Sequence, residues 1–243
     1  RRMEKMKLIF VRHGEPLKND YGIAKMGKDE MALLAKYLEA NYTINQVYAG
    51  TSQRATESAE VLNKVLGKDI NFCDWLSEFK YKMPKEYENC EFPWEFPPEY
   101  WINCDSMLDF KLVLRSEYFE NSEITKKAEQ VWNELDNLME INGYKRKGNL
   151  YEVVKLNKKE ILIVTHFATM AIVLAHLWNV SILVTLNMLF MAPSSYTVVS
   201  SEEIIKGSAI FRCLELGSTK HLYGRNDLLS EYGRQAEIYK GED

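Results

Sequence analysis

The run Leu8-Ile9-Phe10-Val11, followed without a break by Arg12, His13 and Gly14, limits what this chain can become more than any other stretch. Four consecutive apolar residues, β-branched and aromatic among them, are the pattern of a strand buried on both faces of a sheet. Open α/β sheets bind ligands at the carboxyl ends of such strands. Arg12 and His13 stand at that end, and Gly14 lets the chain turn sharply away. A guanidinium presents a planar fork of donors matched to phosphate or carboxylate oxygens. An imidazole acts near neutral pH as a nucleophile or proton carrier.

Later segments repeat the arrangement. Met31, Leu34, Ala35 and Leu38 are spaced as on one face of a helix over 28–40. Residues 45–49 read as a short strand ending at Gly50-Thr51-Ser52, with Ser52 capping a helix whose apolar positions are Ala55, Ala59, Leu62, Val65 and Leu66. Residues 70–76 alternate as a strand does and lead into Ser77-Glu78-Phe79. A helix capped by Ser122, or by Thr125, runs to Gly143, followed by a polar turn at 145–149 and an edge strand at 150–156. Residues 160–165 form the second strong buried strand, which ends at His166, and an apolar helix covers 169–177. Closing strands are expected at 196–200 and 209–216, then a surface tail from Gly224 to Asp243 with helical character from Leu228. The alternation predicts an α/β fold, a three-layer α/β/α sandwich with a mostly parallel central sheet.

Residues 81–121 break the pattern. They hold ten aromatic residues, four of the six prolines, and nine carboxylates against four basic side chains. That is too aromatic for a flexible linker and too proline-rich for a regular element, so an ordered, inserted cap segment is expected. The 243 residues, 46% of them hydrophobic, suffice for one large core, and a single domain over 1–243 with the cap at about 81–121 is the expectation.

A net charge of −4 argues against nucleic acid as the main partner while leaving room for a local basic pocket. Cys73, Cys90, Cys104 and Cys213 form no C-x-x-C pair, which points to reduced thiols in a cytoplasmic protein and not to a zinc site. The basic start has no long apolar segment behind it, so neither a signal peptide nor a membrane anchor is expected. The most apolar stretch, 161–190, is interrupted by Thr165, His166, His176, Asn179 and Asn187, and a buried strand-helix unit explains it better than a membrane span.

Side chains at the ends of different parallel strands converge in space, which groups Arg12, His13, Arg54 and His166 into one anion pocket. Arg54 also lies just inside a helix, where the macrodipole and free amides favour an anion. Two guanidiniums, a helix start and two imidazoles make a receptor for a dianionic phosphoryl group.

The spelling Arg12-His13-Gly14-Glu15, with Asn19 shortly after, resembles the signature of the histidine phosphatase superfamily, the phosphoglycerate-mutase-like proteins. Three later landmarks agree in order: the segment Thr51 to Ala59 around Arg54, the segment Trp75-Leu76-Ser77-Glu78, and Val164-Thr165-His166. The resemblance spans most of the chain outside 81–121 and sides with the phosphatase members. It implies that His13 becomes phosphorylated, that Arg12, Arg54 and His166 hold the phosphoryl group with support from Asn19, and that Glu78 protonates the leaving oxygen. Glu15, Glu86 and Glu88 stand as alternative carboxylates. It further implies a small phosphorylated metabolite as substrate and neither cofactor nor metal, since the arginines supply the positive charge. The family usually has a small residue after the second histidine, and this chain has Phe167. A phosphoglycerate-type mutase shares the same pocket and is the first rival. A catalytically weak phosphate-binding or interaction module is the second.

Overall fold

The computed structural model describes residues 5–18, 21–83 and 90–234. In chain order its regular elements are β1 (Lys7–Arg12), α1 (Lys25–Asn41), β2 (Ile44–Gly50), α2 (Gln53–Leu66), β3 (Ile70–Cys73), α3 (Asp105–Leu108), α4 (Glu123–Ile141), β4 (Tyr144–Lys147), β5 (Leu150–Val153), β6 (Glu160–Thr165), α5 (Phe167–Trp178), α6 (Ile182–Met188), β7 (Tyr196–Ile205) and β8 (Ser208–Ser218). The strands form one mixed sheet in the order β3-β2-β6-β1-β7-β8-β5-β4.

β1 occupies the middle of the sheet, between β6 and β7. Leu8, Ile9, Phe10 and Val11 are all fully buried, each contributing roughly 1.5–3 kcal/mol by leaving water. Their alternation divides them between two clusters. Ile9 and Val11 pack with Met31, Leu34 and Leu62 from α1 and α2. Leu8 and Phe10 pack with Val131, Leu135, Met170 and Leu174 from α4 and α5. Helices therefore cover both faces. α5 is buried almost all round, from Ala168 to Leu177, as a helix with no polar face must be. No helix among the described residues is long and apolar enough to cross a membrane.

The sheet is less parallel than the sequence predicts. β1–β6, β2–β6 and β2–β3 pair parallel, whereas β1–β7, β7–β8, β5–β8 and β4–β5 pair antiparallel. Short turns join β4 to β5 and β7 to β8, and such turns permit only antiparallel pairing. The expected polar turn at 145–149 is mostly strand β4, with Gly148 at φ +61° in the turn to β5. Its charges are those of an edge strand, which discourages pairing with other chains. β5 is consequently an interior strand, bonded to β4 and β8 and not to the β6 that comes next in the chain. Residues 74–76, expected as strand, form a 3-10 turn that buries Trp75 and Leu76.

Within the aromatic segment, Pro93 and Pro98 each begin a 3-10 turn, where a fixed φ and a missing N–H cost nothing. Phe96, Trp101 and Phe119 are buried in the same cluster as α4 and α5, and the Trp101 indole donates to the Phe96 carbonyl at 3.0 Å. Ser122 caps α4 by accepting from the Thr125 amide at 3.2 Å. The rival cap, Thr125, turns its hydroxyl to the Phe119 carbonyl. The described part of the tail, from Gly224 to Arg234, is exposed as expected except for buried Leu228 and half-buried Ser230. After a 3-10 turn at Asn226–Leu228, residues 229–234 run without helix, and the Tyr232 carbonyl accepts from Arg12 at the end of β1.

Candidate active site

The register of the sheet brings the two histidines side by side. Arg12 of β1 pairs with Thr165 of β6, so His13 and His166 are the next residues on adjacent parallel strands, and their ring centroids lie 4.9 Å apart. The His13 amide donates to the Thr165 carbonyl at 2.9 Å. Its Nδ1 lies 2.8 Å from the Gly14 carbonyl oxygen. A carbonyl only accepts, so Nδ1 carries the hydrogen and Nε2 keeps its lone pair. Burial, then the neighbouring His166, Arg12 and Arg54, push the His13 pKa well below its ordinary value, and the ring is neutral at pH 7.

His166 stands at the N-cap of α5 and Ser52 at the N-cap of α2. The Ser52 side chain does not cap its helix as expected. Its hydroxyl lies 2.7 Å from His166 Nε2. His166 Nδ1 is 3.3 Å from Glu78 Oε2, close enough for strong electrostatic coupling but without the alignment of a good hydrogen bond. Two helix N-termini thus flank the site with partial positive charge.

Arg12 is 5% exposed and Arg54 7%. Arg12 Nη1 donates to the carbonyls of Met191 at 2.7 Å and Tyr232 at 3.2 Å. Burial lowers its pKa to about 10, which leaves it charged at neutral pH. Arg54 Nη2 lies 3.8 Å from Glu78 Oε2. Burial by itself would raise the Glu78 carboxyl; His166, Arg54 and Arg12 together outweigh that and hold it below the usual carboxylate range. The segment carrying Glu78 is pinned from β6 and α5: Thr165 Oγ1 donates to the Leu76 carbonyl at 2.6 Å and Thr169 Oγ1 to the Ser77 carbonyl at 2.8 Å.

The turn after β1 depends on glycine at two crossing points. A Cβ on Gly14 would sit 2.6 Å from the Gly27 carbonyl oxygen, and one on Gly27 would sit 2.5 Å from the Glu15 carbonyl oxygen. The Gly14 amide donates to Ser58 Oγ at 3.1 Å, which ties the turn to α2.

Arg12, Arg54 and Glu78 line a cavity of about 820 Å³. The remaining wall includes Phe92 and Trp94 from the aromatic segment, Phe167 at the start of α5, and Tyr232 to Arg234 from the tail. The structure therefore brings together five of the six expected site residues: Arg12, His13, Arg54, Glu78 and His166. Asn19, Glu86 and Glu88 lie outside the described residues. Glu15 is engaged elsewhere, accepting from Ser230 Oγ at 2.5 Å. Sequence reasoning missed Ser52 as the partner of His166, the two threonines behind Glu78, and the tail. Only Thr165 carried a usable signal, through its place beside His166. His221 is buried with Nε2 3.2 Å from Ser194 Oγ, away from the cavity wall.

His13, Glu78 and His166 each offer a ligand atom, all within 4.8 Å of one another. The trio is the metal-binding candidate among the described residues. Arg54 beside the same carboxylate and Arg12 adjoining His13 fill the surroundings with positive charge, which suits an anion and repels a divalent cation.

Residues 8–204 match the sequence profile of the histidine phosphatase superfamily (branch 1). A search of curated protein sequences finds no match. Among solved structures the chain is similar to a phosphoserine phosphatase from Entamoeba histolytica, a histidine-to-alanine variant in complex with phosphoserine. That likeness has 17% identity and a TM-score of 0.59, over 89% of this chain and 99% of that one. A mycobacterial glucosyl-3-phosphoglycerate phosphatase is similar at 13% identity and a TM-score of 0.57, over 87% and 99% of the two chains. So is an alpha-ribazole phosphatase from Shigella flexneri, at 15% identity and a TM-score of 0.55, over 88% and 97%. With the profile covering both histidine strands and the Arg54 and Glu78 segments, the chain belongs to the histidine phosphatase superfamily.

Proposed function

We propose that the protein is a metal-independent phosphomonoester hydrolase that works through a phosphohistidine on His13. The observation that carries this reading is the His13 ring itself: neutral, with Nδ1–H held by the Gly14 carbonyl and the Nε2 lone pair available. Nε2 attacks phosphorus and the phosphorus–oxygen bond to the alcohol breaks. The resulting N-phosphoimidazole is cationic at the ring, and the Gly14 carbonyl on Nδ1–H stabilises that charge. Arg12, Arg54 and His166 balance the charge on the phosphoryl oxygens, with Asn19 in support. To reach Arg12 the phosphoryl group competes with the Tyr232 carbonyl.

Glu78 supplies the proton that the departing alkoxide needs. Before substrate binds, its low pKa leaves it ionised. A bound phosphoryl dianion engages His166, Arg54 and Arg12 and adds a negative charge beside the carboxylate, and both effects raise its pKa. Water then attacks phosphorus, the phosphorus–nitrogen bond breaks, Glu78 takes the water's proton, and inorganic phosphate leaves.

In this reading the chain is one domain over 1–243, a three-layer α/β/α sandwich, with 81–121 as a cap beside the site. The substrate is a small phosphorylated metabolite, an assignment supported by neighbours crystallised with phosphoserine and with 3-phosphoglyceric acid. The four free thiols accord with a cytoplasmic location. The test is hydrolysis of p-nitrophenyl phosphate in excess chelator by the wild type and by His13→Ala, with alkaline quenching to trap phosphohistidine. Turnover and trapped label in the wild type alone are expected. Equal activity in both proteins overturns the reading.

A further inference from the structure

The cavity is much larger and more apolar than a phosphoryl group requires. At about 820 Å³ it lies in the upper part of the range for ligand pockets. On its wall Phe92 and Trp94 present stacked rings, 4.7 Å apart and 3° from parallel, and Phe167 lies beside Arg12, its centroid 5.9 Å from the guanidinium carbon. On the same wall Met188 and Phe190 remain 54% and 45% exposed, apolar surface that folding has left in water. Two polar groups of that wall bond within the protein, and Lys80 adds a cation to it. The Asn187 amide donates to the carbonyls of Pro93 and Leu183, both at 3.0 Å, and Arg234 pairs with Glu231 at 2.9 Å.

A small polar alcohol would lose its own hydrogen bonds against such a wall and cover little of it. An aromatic or extended apolar alcohol would release the water and gain ring contacts. We propose that this site selects phosphomonoesters whose alcohol carries a bulky apolar or aromatic group, with Trp94, Phe92 and Phe167 as the specificity-determining residues. This rests on the hydrolase reading for turnover, but the binding preference stands apart from it.

The experiment separates the two. Binding of naphthylmethylphosphonate and of 2-amino-4-phosphonobutyrate, neither of which is hydrolysed, is measured by calorimetry. In parallel, kcat/KM is compared for 2-(1-naphthyl)ethyl phosphate and phosphoserine, two primary alkyl esters with similar leaving groups. The naphthyl member of each pair is expected to be favoured by about tenfold or more. Trp94→Leu, and Phe92→Leu as the second variant should the first fail to fold, are expected to shrink that ratio about fivefold. Equal or reversed preference in the wild type, or a ratio unmoved by the variants, overturns the proposal. Retained phosphonate preference without hydrolysis of any ester supports the pocket assignment and defeats the hydrolase reading alone.

Discussion

Ser52 Oγ lies 2.7 Å from Nε2 of His166, so the residue heading α2 spends its hydroxyl on the second histidine and not on its own helix. Ser52→Ala should therefore cost little stability, with Tm moving by less than about 2 °C. The loss should appear in kcat/KM, roughly fivefold from one missing hydrogen bond of about 1 kcal/mol. Ser52→Thr, which keeps the hydroxyl, should recover most of it. Steady-state kinetics beside thermal melts check the split.

Glu78→Gln keeps the shape of the side chain and removes the proton. With an alkyl phosphate kcat should fall by about 10²-fold or more. With p-nitrophenyl phosphate, whose leaving group needs no proton, the fall should be much smaller. A drop of the same size for both esters would remove Glu78 from the acid role.

Gly14→Ala forces a methyl against the Gly27 backbone, with 2.6 Å to its carbonyl oxygen and 2.9 Å to its Cα. Backbone does not step aside as a side chain tip does, so a loss of about 1–3 kcal/mol is expected in urea unfolding. Activity should fall further than stability, because His13, the proposed nucleophile, is the adjacent residue and small displacements of a nucleophile cost about 10²-fold.

Burial lowers the pKa of His221 to about 4. The unfolded chain, with its imidazole near the ordinary value of about 6.5, binds the proton first. Stability from this group is complete above about pH 6.5 and is lost as pH falls towards 4. The loss is on the order of 3 kcal/mol. His221→Asn should flatten the fall in unfolding free energy between pH 7 and pH 4.5, measured by urea titration against the wild type. His13 acts in the same direction, so the variant flattens the curve without abolishing the slope.

Much of the site is legible in the sequence because its parts sit at ends of strongly patterned elements. A four-residue apolar run can hardly be anything but β1, and Arg12 and His13 at its end must then lie at the sheet's carboxyl edge. The same logic places Arg54 and His166. Ser52 misleads because a helix-start serine usually caps, and only the register of β2 with β6 reveals the imidazole beside it. β4 is hard to see because Lys145, Arg146 and Lys147 hide the inward Tyr144, and charge on an edge strand resembles a loop. The antiparallel half of the sheet is a matter of turn length, which apolar pattern does not encode. The tail lacks any periodicity, and its role rests on a backbone carbonyl that carries no sequence signal.

Placing β1 between β6 and β7 has a consequence for how the protein is made. Lys7 bonds across to Glu160 on one side and faces Ser200 on the other. β1, which leads into His13, is synthesised long before its neighbours, so it has no partner strand until residues 160–165 have emerged, and its second edge stays open until 196–200 are made. Such distant pairings slow folding, because the loop between them must be closed before the contact repays it. An apolar strand with open edges is also what cellular chaperones meet in a nascent chain. The pocket is thus assembled only once β6 and β7 have been made, and a ribosome-bound fragment that stops short of β6 has His13 but no site.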